Sequence, residues 1–257
     1  MRFINIIQFL TRISIKKDIP YDPNIDKGIV YFPMVGAIIG LVLMCGNLFF
    51  SWIFLGVGNS YLQSILIVVL ELVVTGGLHM DGFGDSFDGL FSYRSKDRIL
   101  DIMKDPRLGT NGLLAIMSLI LLKIVVMAIL IDYNMVWYIG FMPIISRLGA
   151  VFMTYKTIPA RENGMGNMFI GKCSGVALII GIVFTIIWSI GLHLYIGFGI
   201  ESLLFLFCSI PIVFILERLL INFSYKKIEG ITGDILGCGI EASEVFFLIY
   251  ILVLMRW

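Results

Sequence analysis

Long apolar runs alternate with polar segments along nearly the whole chain. Runs at residues 32–55, 61–78, 113–131, 136–155, 176–196 and 203–221 each approach the ~20 residues that a helix needs to cross a bilayer. A shorter run at 245–255 follows and predicts a last crossing or an interfacial segment. Residues 1–15 carry a different pattern, with Phe3, Ile6, Ile7, Phe9, Leu10 and Ile13 on one side and Arg2 and Arg12 interrupting. That pattern predicts an interfacial amphipathic helix, and the absence of a small-residue cleavage site argues against a removable signal peptide. Pro20 and Pro23 break the polar stretch at 16–28, and Pro143 predicts a kink in the fourth run. The expected fold is all-α: a polytopic integral membrane bundle of about seven transmembrane helices behind an N-terminal interfacial helix. With no repeat and no low-complexity linker, residues 1–257 read as a single domain.

Composition excludes an ordinary soluble protein. Hydrophobic residues make up 59% and charged residues 14%, the mean hydropathy is +0.98, and a soluble domain would carry about 25% charged residues. The net charge of +1 says little about partners, and no nucleic acid is expected. The four cysteines, Cys45, Cys173, Cys208 and Cys238, have no paired spacing and read as buried thiols. Placement of the basic residues is more telling. Arg2, Arg12, Lys16, Lys17 and Lys27 precede the first run. Arg94, Lys96, Arg98, Lys104 and Arg107 follow the second, and Lys156, Arg161, Lys172, Lys226 and Lys227 occupy the later long polar loops. The connections at 56–60, 132–135 and 197–202 contain no Lys or Arg. The positive-inside rule therefore puts the N-terminus and the long polar loops in the cytoplasm and Arg256 at the opposite interface.

The segment at 75–112, TGGLHMDGFGDSFDGLFSYRSKDRILDIMKDPRLGTNG, concentrates the candidate chemistry. Asp81, Asp85 and Asp88 stand at i, i+4 and i+7 and share one face of a helix. Like charges at that spacing repel, and a cation relieves the repulsion; hard oxygen ligands favour Mg²⁺, Mn²⁺ or Ca²⁺. A solvated acidic helix end is the alternative. Glu71, Lys123 and Arg147 fall inside apolar runs, where a charge costs about 2.5–3.5 kcal/mol, so each should face the bundle interior or a cavity. They either pair with one another or meet an anionic substrate, with Glu71 joining or orienting the metal shell. Thr232, Asp234, Glu241 and Glu244 in GITGDILGCGIEASE bring more hard ligands, and Thr232 can cap the turn. His79 is a candidate ligand, base or substrate contact, whereas His193 reads as a helix-end residue. The aromatic stripes read as packing or lipid contact.

Together these blocks resemble the cobalamin synthase family, adenosylcobinamide-GDP ribazoletransferases. The resemblance rests on Phe9-Leu10-Thr11-Arg12, Phe32-Pro33-Met34-Val35-Gly36, GGLHMDGFGDSFDG (76–89), IMKDPRLGTNG (102–112) and TGDILGCGIEASE (232–244), in order from end to end. Lys123, Arg147 and Pro159-Ala160-Arg161 with Gly164 and Gly166 also fall at family-like positions. Pro106 stands where Ser is expected, and Glu229 where a second glycine is expected.

The resemblance implies Mg²⁺-dependent transfer of the cobinamide-phosphate group from adenosylcobinamide-GDP to a ribose hydroxyl of α-ribazole or its 5′-phosphate, with GMP leaving. It implies Asp81, Asp85 and Asp88 as catalytic metal shell and base, completed or oriented by Glu71, Asp105, Asp234, Glu241 and Glu244. Substrate would meet His79, Lys104, Arg107, Lys123, Arg147, Arg161 and Thr232. The expected setting is the prokaryotic inner membrane, with the two substrates and the lipid bilayer as partners and homo-oligomerisation left open. One alternative is a CDP-alcohol-type phosphotransferase acting on lipid, but its Asp-Gly is followed by Ala-Arg, whereas here Asp81-Gly82 runs into Phe83-Gly84-Asp85. A cation-coupled transporter is the other, and it predicts carboxylates near the midplane rather than gathered in loops.

Overall fold

The computed structural model describes residues 1–17, 22–54, 59–197 and 200–254. Pro20, parts of the 56–60 and 197–202 connections, and Arg256 lie outside the described residues. Among the described residues, ten α-helices follow one another: α1 (Arg2–Leu10), α2 (Phe32–Ile53), α3 (Ser60–Thr75), α4 (Leu78–Leu90), α5 (Lys96–Ile102), α6 (Thr110–Asp132), α7 (Met142–Met153), α8 (Gly175–Ile196), α9 (Ile200–Ile228) and α10 (Gly233–Leu254). Short 3-10 turns at Ile25–Tyr31, Val136–Gly140 and Met165–Met168 link them, and there is no β-strand among the described residues.

Among the described residues, six segments are long and apolar enough to cross a membrane: 25–53, 110–132, 136–153, 175–196, 202–228 and 233–254. A seventh exists if α3 and α4, bent 92° to each other, count as one broken span. The second expected run therefore stops early. α3 has 16 residues, and Gly76 and Gly77 then take φ of +66° and +69°, the left-handed region that glycine enters without a Cβ clash. Arg12 fills the space beside Gly76, and its backbone N–H donates to the Val74 carbonyl at 2.7 Å. This is the local role of the Phe9–Arg12 block. We read α4 as lying across the end of the bundle, outside the six spans.

On α8, burial runs opposite to that on a helix of a soluble protein. The residues that α8 buries are Gly181, Thr185, Ser189 and His193, one small or polar stripe at i+4 spacing. Its Val176, Ile179, Val183, Ile187 and Leu194 point outward. Apolar side chains facing out and small or polar ones facing in are what a helix packed within lipid requires. α7 is the centre of the bundle, buried everywhere except Phe152. At the other extreme, α1 docks through Ile6, Ile7 and Leu10, shorter than the expected 1–15 because it ends at Thr11.

Three further expectations change. Pro143 does not kink a helix; it occupies the first turn of α7 after the 3-10 turn, where its missing N–H needs no partner. Pro211 instead lies inside α9. The glycine-rich stretch at 222–239 is largely helical: α9 runs on to Ile228, α10 starts at Gly233, and only a short connection remains. That makes α10 a full-length span rather than a short last run. Cys45 and Cys208 are exposed on the apolar surface, while Cys173 and Cys238 are buried; all four are free thiols.

α10 starts beside α4 because glycine permits it. A Cβ on Gly82 would sit 2.9 Å from the Asp234 carbonyl oxygen, and one on Gly237 would sit 3.1 Å from that of His79. The two helix starts thus approach backbone to backbone, which brings Asp81 and Asp234 together.

Candidate active site

At this junction lies a cleft of about 110 Å³, walled by the end of α1, the beginnings of α2, α4 and α10, the end of α7, and the segment between α7 and α8. One wall is aromatic. Phe169 packs against Phe9 and Phe32, with ring centroids 5.4 and 5.1 Å away. The facing wall carries His79, Asp81, Arg161 and Asp234. Sequence reasoning assigned the aromatics no role, although Phe9 and Phe32 sit inside two of the blocks that carry the resemblance.

Arg161 is placed by its backbone. The Ala160 N–H donates to the Ile231 carbonyl at 2.9 Å, and the Ile231 N–H to that of Ile158 at 3.0 Å. Asn167 Nδ2 donates to the carbonyls of Arg161 and Glu162 at 2.8 and 2.9 Å. The Arg161 side chain donates through Nη2 to Asp234 Oδ2 at 3.1 Å, an oxygen that also accepts from the Thr232 hydroxyl. Thr232 in turn caps α10 by accepting from the Ile235 N–H. Nε and Nη1 of Arg161 are enclosed and find no acceptor among the described residues. Two idle guanidinium donors on a cleft wall suit a phosphate or carboxylate.

The acidic face of α4 divides. Asp81 lines the cleft and is exposed. Asp85, one turn on, is half-buried, and its carboxyl is pushed up to about 7 by burial and then by Asp81, Asp234 and Asp88, against a smaller opposing pull from Arg161. Asp88 serves another element: its oxygens accept the Gly109 and Gly112 N–H groups at 2.7 and 2.8 Å and so cap α6.

No three Asp, Glu, His or Cys among the described residues converge tightly enough to enclose a metal ion by themselves. The donor set still fits a hard divalent cation. Asp81, Asp85 and Asp234 crowd negative charge into a half-open site, and Mg²⁺ characteristically takes one or two carboxylates and completes its shell with water and substrate phosphate.

Three carboxylates expected at that shell sit elsewhere. Glu71, Glu241 and Glu244 surround Lys123 Nζ at 3.1, 2.8 and 2.5 Å, all of them buried within the bundle. Glu244 also takes Arg147 Nη1 and accepts from Ser146. Lys123 and Arg147 are thereby committed to internal pairing, the first of the two roles open to them, and neither lines the cleft. Asp105 and Arg107 pair with each other on the surface at 2.6 Å, outside the cleft; that bond holds the Asp105 carboxyl down at about 2. Lys104 is exposed nearby. Glu217, within the sixth run, was overlooked. It is fully buried and accepts from Ser243 at 2.7 Å, and a Glu in the middle of an apolar run, beside Arg218, was the available signal. Glu229, at the position where glycine is expected, adopts φ +58° and pairs with Lys96. The backbone there does call for the left-handed region, which explains the family-like glycine.

Fold and cleft define an integral membrane protein that gathers its polar chemistry at one end of a helical bundle. A family model for cobalamin-5-phosphate synthase matches residues 2–252, and the chain belongs to that family and is a transferase. Among its relatives is the adenosylcobinamide-GDP ribazoletransferase of Clostridioides difficile (strain 630), 47% identical over 255 residues that cover 98% of this chain and 97% of the relative. The enzymes of the same name from Alkaliphilus metalliredigens (strain QYMF) and Fusobacterium nucleatum subsp. nucleatum are 43% and 35% identical, covering 98% of this chain and 95% and 97% of theirs. No solved structure matches the chain.

Proposed function

We propose that this protein transfers the cobinamide-phosphate group of adenosylcobinamide-GDP to a ribose hydroxyl of α-ribazole or its 5′-phosphate, giving an adenosylcobalamin-type product and GMP. The observation that carries the reading is the cleft in which Arg161, with two idle donors, faces Asp81 and Asp234. The relatives' names supply the substrates.

In the reaction the acceptor hydroxyl oxygen bonds to the cobinamide-linked phosphorus, the bond from that phosphorus to the GMP oxygen breaks, and the hydroxyl proton passes to a carboxylate of α4, Asp81 or Asp85. Arg161 holds the phosphate oxygens and orients the bond to be broken. The aromatic wall excludes water and packs the flat parts of the substrates. Asp81, Asp85 and Asp234 would hold Mg²⁺, which when bound supplies charge neutralisation at the phosphates and the departing oxygen. The bundle sits in the cell membrane with the cleft and the long basic loops facing the cytoplasm, an orientation that the Lys and Arg distribution supports.

The test is GMP release from purified protein in liposomes given adenosylcobinamide-GDP and α-ribazole 5′-phosphate, with Mg²⁺ or with EDTA. Metal-dependent GMP release matched by a corrinoid nucleotide product is expected. A folded, silent enzyme overturns the reading.

A further inference from the structure

His79 belongs both to the cleft and to the buried charge network. It stands in the first turn of α4, lines the cleft, and is 3% exposed. Its Nδ1 lies 3.3 Å from Arg147 Nη2. A guanidinium offers only donors, so Nδ1 must accept, and a neutral ring then carries its proton on Nε2. Arg147 is itself held by Glu244, and Glu244 by Lys123 at 2.5 Å. This chain of charge-assisted bonds fixes the ring and its tautomer from behind, as a second shell does for a metal-bound histidine.

The other nitrogen, Nε2, is enclosed and meets no acceptor among the described residues. A buried N–H donor is costly to leave unpaired. The arrangement also removes two of the roles that the sequence left open to His79. Nδ1 is taken by Arg147, and Nε2 already bears a proton, so neither nitrogen has a lone pair free to bind a metal or to accept the hydroxyl proton.

We propose that His79 acts through Nε2–H as a fixed neutral hydrogen-bond donor to an oxygen of the phosphoryl group being transferred, with Arg147 and Glu244 as its positioning residues. The identity of that oxygen rests on the transfer reading above. A preset donor aimed at an oxygen that gains charge lowers the barrier without reorganising when the charge develops.

The chain has two histidines, so ¹⁵N-histidine labelling in nanodiscs, with and without His193→Gln, isolates the ring of His79. The expected spectrum shows Nε2 protonated and Nδ1 bare, and GDP with Mg²⁺, whose outer phosphate stands for the phosphoryl group being transferred, shifts the Nε2 resonance far more than that of Nδ1. In turnover assays His79→Gln, whose amide can donate in place of Nε2, stays within about tenfold of wild-type kcat, whereas His79→Leu loses about 10²–10³-fold. Equal losses in the two variants, a bare Nε2, or an Nε2 resonance indifferent to GDP (the mark of a buried water or internal bond only) would overturn the proposal. A wild-type protein that releases no GMP counts against the transfer reading instead, and the labelled spectra then decide on the donor by themselves.

Discussion

Two groups of charges lie within reach of His79, and they are built on opposite rules. In the bundle, Lys123 is ringed by Glu71, Glu241 and Glu244, and Arg147 is locked to Glu244. At the cleft, Asp81 is exposed and Arg161 keeps two enclosed nitrogens idle although it pairs with Asp234. The buried set gives every charge a partner of opposite sign, although Arg147 Nε meets no acceptor among the described residues, because no water is present in a bilayer interior to solvate a leftover charge. The cleft set stays open, as the proposed transfer requires of a site that a substrate phosphate completes. Residue type alone separates neither group; the difference is whether each charge finds its partner inside the chain.

Breaking the buried set should have the largest effect. Lys123→Met leaves three carboxylates without their shared cation, and we expect about 3–5 kcal/mol of lost stability, read as a fall in Tm and in folded yield in detergent. Wild-type Tm in that variant would dissolve the distinction. Opening the cleft further should act on turnover instead. Arg161→Gln should lower kcat/KM by about 10²–10³-fold, a loss seen in GMP release, with Tm unchanged. Asp88 sharpens the comparison because it stands on the acidic face of α4 yet caps α6. Asp88→Ala should cost about 0.5–2 kcal/mol of stability, measurable by thermal unfolding in nanodiscs. Smallest of all is the exposed Asp105–Arg107 pair, part of neither group; Asp105→Asn should leave both Tm and GMP release at wild-type levels.

Much of the bundle was legible because a bilayer demands runs of fixed length, and these appear in a single sequence without knowledge of what packs against what. The errors fall where packing overrides local propensity. Gly233, Gly237 and Gly239 suggested a loop, but α10 is helical there, with Gly237 letting it lie against α4, Gly233 against Gly166 and Gly239 against Glu217 and Met153. Pro143 suggested a kink, but its own helix begins beside it.

At the site, the i, i+4, i+7 spacing revealed the face of α4, and Asp81, Arg161, Asp234 and His79 do meet at the cleft. What the spacing could not show is who answers each charge. The N–H groups that bind Asp88 lie 21 and 24 residues along the chain. The lysine that answers Glu241 lies 118 residues away. Glu241 and Asp234 look alike in one dimension, and only the fold sends one into the bundle and the other to the cleft.

The most direct test of that division is Asp85→Asn, a substitution that keeps the side-chain shape and touches nothing in the Lys123 cluster. Thermal unfolding and GMP release should be measured on one preparation in liposomes. The account predicts a Tm at or slightly above the wild-type value, since a crowded carboxylate has been removed, together with loss of GMP release. Wild-type turnover by Asp85→Asn would contradict it, and the acidic face of α4 would then be structural like the cluster beneath it.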